Sequence, residues 1–251
     1  MAAAARAADI IRAGAERRER LTWETKTRGD FVSEIDVAAE MAIEEIVRSR
    51  HPGSGLLAEE MSSDLTPRAG LVFVADPLDG TTNFLHGFPW YAVSIAAMID
   101  GDVVAGAVLN AANGELFTAT KGGGARKNGQ PISVSKIDEP IRSLVATGFP
   151  FKEGAPIEEY LGVLPRIMRE TSGLRRPGAA ALDLADVACG RFEAFWELTL
   201  MPWDIAAGIL LVREAGGVIT DLHGAPAQVA RTGIIAGNPA MHAWLFQILA
   251  G

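Results

Sequence analysis

The hydrophobic pattern of this chain changes its period several times, and this alternation constrains the fold more than any other feature. Residues 36–50 carry apolar side chains at helical spacing, whereas residues 71–75 form a short, continuous apolar run that predicts a buried strand. Residues 92–98 and 103–109 flank an Asp-Gly pair at 100–101, which predicts a β-hairpin. Helix and strand patterns occur in blocks and not as strict βαβ units. We therefore predict a layered α+β fold with an antiparallel sheet in the first half.

The second half of the chain mixes shorter helices and strands, which predicts a mixed sheet. A further helix is expected at the start, over residues 1–20. The expected helices of the second half lie at 157–169, broken or capped near Pro165, at 179–189, at 204–215 and from 239 onward. The expected strands lie at 143–147, 192–196, 218–221 and 233–236. We expect a single domain over residues 1–251, with approximate halves 1–140 and 141–251 and the active site between them.

Composition excludes several classes of protein. Of the 251 residues, 49% are hydrophobic and 22% charged, which is too apolar for a disordered chain. The net charge of −8 argues against sequence-blind binding to nucleic acid, because no basic excess is present to neutralise phosphates. One cysteine, Cys189, excludes an intrachain disulfide. With no apparent targeting or membrane-spanning segment, we expect a cytoplasmic protein without a membrane partner.

The segment at 76–84 is the first candidate for chemistry. Asp76 and Asp79 lie three residues apart at the end of a predicted buried strand, and Gly80 and two threonines follow. Two carboxylates in such a place repel each other and lose solvation, so a divalent cation between them would stabilise them. Ligands that are all oxygen atoms suit Mg²⁺. The structural alternative is an Asp-Gly turn followed by a helix cap, and the spacing alone does not decide between them.

Other acidic residues have both a functional and a structural interpretation. Glu59 and Glu60 follow an apolar pair and gain functional meaning only if their loop lies beside Asp76. Asp36 and Asp204 each open a predicted helix, so a helix cap is the alternative for both. Capping and metal binding are compatible, because a carboxylate has two oxygens. Glu197 ends a predicted strand, and Asp30 is equally consistent with a turn. The four histidines are scattered and are interpreted as structural or solvated.

Taken together, these segments closely resemble the inositol monophosphatase family. Residues 76–84 resemble the first signature of that family without departure. Residues 203–208, followed by 214–217, resemble its second signature, and residues 30–36 resemble its upstream pattern of Asp, aliphatic, Ser/Thr and Asp. The order and spacing hold from about residue 30 to residue 237. Three separated motifs in the right order are far more specific than any one of them.

The resemblance implies a layered α-β-α-β-α sandwich that is often dimeric and that hydrolyses small phosphate monoesters with Mg²⁺, with inhibition by Li⁺. Glu59, Asp76 and the carbonyl of Leu78 would bind a first metal, and Asp76, Asp79 and Asp204 a second. Asp36 and Glu59 would reach a third, weaker site. Thr81, with Asp36 or Glu60, would position the attacking water, and the amides of Gly80 and Thr81 would hold the phosphate. Glu197, the backbone of Ala180 and Asp204 would face the hydroxyls of a sugar or polyol.

Two departures from the family pattern are visible. Ala58 stands where the family usually has Gly, and Ala179 follows Gly178 where Ser or Thr is frequent. Neither removes a proposed ligand. Lys26 lies upstream of these segments in a loose register, and we assign it no role.

Three functions remain open at this point. The first is an Mg²⁺-dependent inositol monophosphatase that acts on a small phosphorylated polyol. The second is the same chemistry on histidinol phosphate, fructose 1,6-bisphosphate or a 3′-phosphoadenosine compound. The third is a binding role, because a bacterial relative of the family acts as a partner in ribosomal RNA transcription. Haloacid-dehalogenase-type phosphatases are excluded, because two residues, not one, separate Asp76 from Asp79.

Overall fold

Alternating layers of helix and sheet make up the protein. The computed structural model describes residues 1–27, 29–63, 69–150 and 156–250. Helices and strands are numbered here in chain order. The helices are α1 (Ala2–Ala15), α2 (Glu34–Arg50), α3 (Thr81–His86), α4 (Ile157–Glu170), α5 (Ala180–Ala188), α6 (Pro202–Glu214) and α7 (Pro239–Leu249). None of these described helices is both long enough and apolar enough to cross a bilayer.

The strands form two large sheets and one small hairpin. Those before residue 140 are β1 (Trp23–Thr27), β2 (Asp30–Ser33), β3 (Gly55–Ala58), β4 (Leu71–Asp79), β5 (Ala92–Ile99), β6 (Asp102–Asn110), β7 (Leu116–Thr120), β8 (Gly124–Lys127) and β9 (Gln130–Pro131). Those after it are β10 (Leu144–Thr147), β11 (Gly173–Arg175), β12 (Ala194–Leu200), β13 (Val218–Asp221) and β14 (Thr232–Gly237).

The first large sheet has the order β3-β4-β5-β6-β7-β8-β9. Neighbouring strands from β4 to β9 are antiparallel, as predicted, and the β5–β6 pair is the expected hairpin. The pair β3–β4 at the edge is parallel, and the sequence had not indicated the strand β3.

The second large sheet is mixed, as predicted. Its order is β11-β10-β12-β14-β13, with parallel pairing of β10 to both β11 and β12. The pairs β12–β14 and β13–β14 are antiparallel. The strands β1 and β2 form a separate antiparallel hairpin in which every residue of β1 is exposed.

The period-two alternation of the strands places side chains in different layers. In β4, Val74 packs with the central helices α5 and α6, whereas Ala75 packs with α1 and α2 on the opposite face. In the second sheet, Phe195 contacts the central layer, and Trp196 packs with α4 and α7 on the outer face. The layer order is therefore α1/α2, first sheet, α5/α6, second sheet, α4/α7, which confirms the predicted sandwich.

The central helices approach each other closely at Gly208 of α6. A Cβ atom at this position would lie 2.4 Å from Cδ1 and 2.7 Å from Cβ of Leu184 on α5. Only a residue without a side chain fits this contact without movement. The outer helix α4 differs from expectation, because it runs without a break through Pro165. Pro165 lies on the exposed side, where water can bond the carbonyl that the proline leaves without its donor.

Candidate active site

The end of β4 carries the two aspartates of the first motif. The strand continues beyond the predicted apolar run and ends at Asp79, and its pairing with β5 is irregular between Asp76 and Asp79. Pro77 falls within this irregular stretch, where its missing N–H interrupts no regular ladder. Gly80 follows with φ 91°, a left-handed conformation that favours glycine. This local geometry turns the chain sharply into α3.

The strand β3 brings the second motif beside the first. Ala58, its last residue, pairs with Ala75 of β4, so Glu59 follows β3 at the level of Asp76. This is the condition under which the glutamate pair was expected to gain functional meaning. Asp204 comes from the first turn of α6 in the central layer, and its Oδ2 accepts a hydrogen bond of 2.7 Å from the amide of Met201.

These elements surround one pocket of about 610 Å³. Its acidic part includes Glu59, Asp76, Asp79 and Asp204. The residues from the other motifs that line it are Leu78, Gly80, Thr81, Ala180 and Glu197. Phe149, Arg176, Met201 and Arg231 are further lining residues that no sequence motif had indicated, whereas Phe31 belongs to the motif at 30–36. Residues that are far apart in the sequence thus meet at one concave surface.

Burial makes the charged forms of Asp76 and Asp79 unfavourable. Desolvation raises the pKa of Asp76 well above its usual value, and the charges of Glu59, Asp79 and Asp204 raise it further. Desolvation likewise raises the pKa of Asp79 to about 7, against the lowering effect of the Ala181 amide, which donates to its Oδ2 at 2.8 Å. Both side chains are buried. Such a site favours a proton or a metal cation on its carboxylates.

Thr81, which is half-buried and lines the pocket, pairs with the buried Asp36 behind it. The Thr81 hydroxyl lies 2.8 Å from Oδ1 of Asp36 and 3.1 Å from the carbonyl oxygen of Leu78. Oδ2 of Asp36 accepts from the amide and hydroxyl of Ser33, which completes the capping box of α2. Ser33, and not Asp36, is therefore the N-cap. Asp36 serves as a capping residue and a partner of Thr81 at once.

Lys26 contacts both members of the glutamate pair. Its Nζ lies 2.8 Å from Oε1 of Glu59 and 2.7 Å from Oε1 of Glu60. Burial opposes the charge on Lys26, but the two glutamates raise its pKa overall. Burial and the charges of Glu59 and Asp36 raise the pKa of Glu60 to about 7, although Lys26 acts in the opposite direction. The hairpin β1–β2, which carries Lys26, is thereby attached to the acidic part of the pocket.

The other end of the pocket is built on the second sheet and α5. Glu197 lies in β12, and a Cβ atom at the neighbouring Gly148 would lie 2.0 Å from its carboxyl carbon. Because Gly148 has no side chain, the carboxylate of Glu197 can occupy this space. The guanidinium of Arg176 stands 5.5 Å from the centroid of the Phe149 ring. This end of the pocket offers a carboxylate, a guanidinium and the face of an aromatic ring.

The acidic part of the pocket has the ligand chemistry of a divalent-cation site without its geometry. Within the described ranges, no three Asp, Glu, His or Cys side chains are arranged so that they could already hold a metal ion. Oxygens of Asp76, Asp79 and Asp204 accept backbone hydrogen bonds, and Lys26 engages Glu59. The donor set nevertheless consists of oxygen atoms alone, and two of its carboxylates are buried with raised pKa values. Its chemistry fits Mg²⁺ once the side chains reorient.

Asp36 and Glu60 are close to the pocket but are not among the residues that line it. Asp36 reaches the site through Thr81, and Glu60 through Lys26. The side chain of Asp30 lies outside the described part of the chain. Lys26 is the residue to which sequence reasoning assigned no role although the fold places it at the site. A lysine within an exposed strand carries no pattern that distinguishes it from a solvated one.

A five-layer sandwich with an oxygen-lined acidic pocket at its sheet ends defines a class of layered α/β proteins suited to cation-assisted chemistry. The family model of the inositol monophosphatase family matches residues 1–250. The chain belongs to the inositol monophosphatase family.

Individual relatives agree with this assignment. The putative Nus factor SuhB of Neisseria meningitidis serogroup B is 38% identical over 99% of this chain and 95% of its own length. The inositol monophosphatase of Thermotoga maritima is 30% identical, with a TM-score of 0.89 over 99% of this chain and 94% of that structure. A structure of SaIMPase-II with bound inositol monophosphate is 27% identical, with a TM-score of 0.83 over 98% and 90% of the two chains.

Proposed function

We propose that this protein hydrolyses a small phosphate monoester with Mg²⁺ and that its substrate is a myo-inositol monophosphate. One observation carries the proposal: carboxylates from β3, β4 and α6 meet at a pocket whose other end presents Glu197. The first part suits a phosphate and its counter-cations, and the second suits a polyol. The inositol monophosphate bound to a relative with the same fold supports this choice of substrate.

Glu59, Asp76, the carbonyl of Leu78, Asp79 and Asp204 would hold the cations. Bound Mg²⁺ supplies positive charge that offsets the charge of the phosphate and lowers the pKa of a coordinated water. The remaining work falls to residues of the chain, since phosphoryl transfer depends mainly on positioning and electrostatics.

Thr81 would orient the attacking water. Its hydroxyl has one hydrogen and faces two acceptors, Asp36 and the Leu78 carbonyl. When this hydrogen is donated to Asp36, the hydroxyl oxygen is left to accept a hydrogen bond from water. Ser33 in turn holds Asp36 in place. The amides of Gly80 and Thr81 would bind the phosphate oxygens.

Glu197 and the backbone of Ala180 would select the alcohol part of the ester. A carboxylate accepts hydrogen bonds from two neighbouring hydroxyls, which polyols provide and simple alcohols lack. The same chemistry on histidinol phosphate, fructose 1,6-bisphosphate or 3′-phosphoadenosine compounds is the alternative, because those esters differ only at this end.

A panel of phosphate monoesters tests the proposal. Phosphate release would be measured for inositol 1-phosphate and for each alternative ester, with Mg²⁺, with a chelator, and after Mg²⁺ is restored. We expect the highest kcat/KM for inositol 1-phosphate, loss of turnover with the chelator, recovery with Mg²⁺, and inhibition by Li⁺. A higher kcat/KM for another ester would replace the substrate, and chelator-resistant turnover would remove the role of Mg²⁺.

The names of several relatives favour a second candidate function. Curated relatives with 38–41% identity carry the name Nus factor, so a role as a transcription partner is the competing proposal. Absence of turnover with every ester of the panel would favour it over catalysis. We also propose that the protein forms a homodimer, as the family resemblance implies, which light scattering would measure.

A further inference from the structure

Asn83 belongs to the first motif, yet the proposed chemistry gives it no task. It lies in α3, two residues after Thr81 and close to the turn that carries Asp79 and Gly80. Its side chain is partly buried. A polar side chain that stands beside a reaction site without a role in the reaction calls for a physical explanation.

The side-chain amide of Asn83 connects two distant segments of the chain. Its Nδ2 donates to the carbonyl of Trp90 at 2.8 Å and to the carbonyl of Pro177 at 2.9 Å. The carbonyl of Gly178 lies at 3.3 Å. An amide NH₂ has two hydrogens, so the two shorter contacts use its full donor capacity.

The two connected segments already touch at Gly80. A Cβ atom on Gly80 would lie 2.9 Å from the carbonyl oxygen of Trp90 and 3.3 Å from Cβ of Ala179. Next to this contact, the amide of Ala181 donates to Oδ2 of Asp79 at 2.8 Å. Asn83 therefore sits where the turn after β4 meets the start of α5.

The turn after β4 and the start of α5 lie side by side in the lining of the pocket. The turn after β4 carries Gly80 and Thr81, to which the proposed function assigns the phosphate. The start of α5 carries Ala180, to which it assigns the hydroxyls. The two shorter hydrogen bonds of Asn83 are made beside both segments and add no charge to an acidic pocket.

We propose that Asn83 is a positioning residue that fixes the placement of the turn with Gly80 and Thr81 relative to the backbone of Ala180. The inference rests on the proposed function and adds a determinant of specificity to it. A substrate that contacts both the turn and Ala180 depends on this placement, whereas an ester that contacts only the turn does not. The consequence is a change in substrate preference when the amide is removed.

The test compares two esters in two variants. Asn83→Asp keeps the shape but replaces the NH₂ donor with an oxygen that repels the carbonyls, and Asn83→Ala removes the group. We expect kcat/KM for inositol 1-phosphate to fall by about 10- to 100-fold, as small misplacements of a reacting group do. For p-nitrophenyl phosphate, which has no hydroxyls to place against Ala180, we expect a fall of less than about threefold.

Asn128→Asp is the matched control. Asn128 lies in a hairpin turn, and its Oδ1 accepts from the amide of Leu116, a contact that Asp retains. The control should leave the ratio of kcat/KM for the two esters unchanged. Thermal unfolding of all variants shows whether the fold is intact.

Three outcomes would overturn the inference. An unchanged ratio in folded Asn83 variants overturns the inference while leaving the proposed function in place. Failure of both variants to fold also overturns it, because Asn83 would then support the fold as a whole. If the wild-type protein hydrolyses neither ester, the proposed function fails, and this inference fails with it.

Discussion

Asp79 shows how one buried carboxylate links stability and activity. Burial raises its pKa to about 7, so the charged form of Asp79 is less favourable in the folded protein than in water. We predict that Asp79→Asn lowers kcat by about 100-fold or more, because it removes charge that would hold a cation worth several kcal/mol to the transition state. Asn can still accept from the Ala181 amide, so the melting temperature should not fall. Near wild-type turnover in the variant would remove Asp79 from the site.

Asp183 provides a prediction on stability alone. This residue of α5 is buried. Desolvation, with the charges of Asp79, Glu197 and Asp186, raises its pKa well above the usual value, although the side chain of Trp90 acts in the opposite direction. The folded state therefore keeps a proton that the unfolded state loses as the pH rises above about 4, so this group makes the protein less stable at higher pH.

Asp183→Asn should remove this dependence. We expect the free energy of unfolding of the variant to exceed that of the wild type by an amount that grows from pH 5 to pH 8, measured by urea unfolding. Asp138→Asn, at an exposed position, is the control and should show no such trend. A constant difference between variant and wild type across this range would contradict the expectation.

Helix packing in the central layer leads to a prediction for whole elements. Gly208→Ala should destabilise the protein by about 1–3 kcal/mol, because its Cβ would overlap Leu184 between α5 and α6. Gly162→Ala is the matched control in the interior of α4, where a Cβ meets nothing within 4 Å. There alanine should stabilise the protein by about 0.5–1 kcal/mol, since glycine weakens a helix interior. Urea unfolding of both variants measures the contrast, and equal effects would refute the packing argument.

The elements also show what the sequence could predict. Long apolar runs and clear turns gave β5, β6, α2 and α6 within a few residues, because their burial and period are local properties. The end of β4 was missed because Asp76 and Asp79 are buried polar residues that interrupt the apolar pattern. The strand β3 has only four residues, and it is recognised as a strand by its parallel pairing with β4 and not by a pattern of its own.

The candidate site follows the same division. The motif at 76–84 indicated its acidic core, and the family resemblance indicated which distant residues join it. The contribution of Lys26 depends on how the β1–β2 hairpin folds over Glu59 and Glu60, and every residue of β1 is exposed. An exposed strand leaves no hydrophobic signal in the sequence. Likewise, the donors of Asn83 become informative only when Trp90 and Pro177 are known to be neighbours.

For the molecule as a whole, cation binding should increase stability. The acidic part of the pocket combines segments from the first large sheet and the central layer, so a bound cation connects two layers of the fold. We predict that Mg²⁺ at 100 times its Kd adds about 2.7 kcal/mol to the free energy of unfolding. Thermal unfolding should then show a rise of several degrees, since about 1 kcal/mol shifts the melting temperature of a protein this size by about 2–4 °C.

The control for this experiment is NaCl at the same ionic strength. Asp79→Asn should show a smaller rise with Mg²⁺ than the wild type. The same melting temperature in Mg²⁺ and in NaCl would mean that the acidic pocket does not bind the cation under those conditions.

The five-layer arrangement supports the two ends of the pocket on separate sheets. Substitutions in β12 or at the start of α5 can reshape the surroundings of the alcohol, while β3 and β4 keep the acidic residues unaltered. Descendants of one ancestral scaffold can therefore exchange one leaving group for another through a few local changes. We expect the substitutions that change substrate preference in this architecture to lie mainly in the second half of the chain.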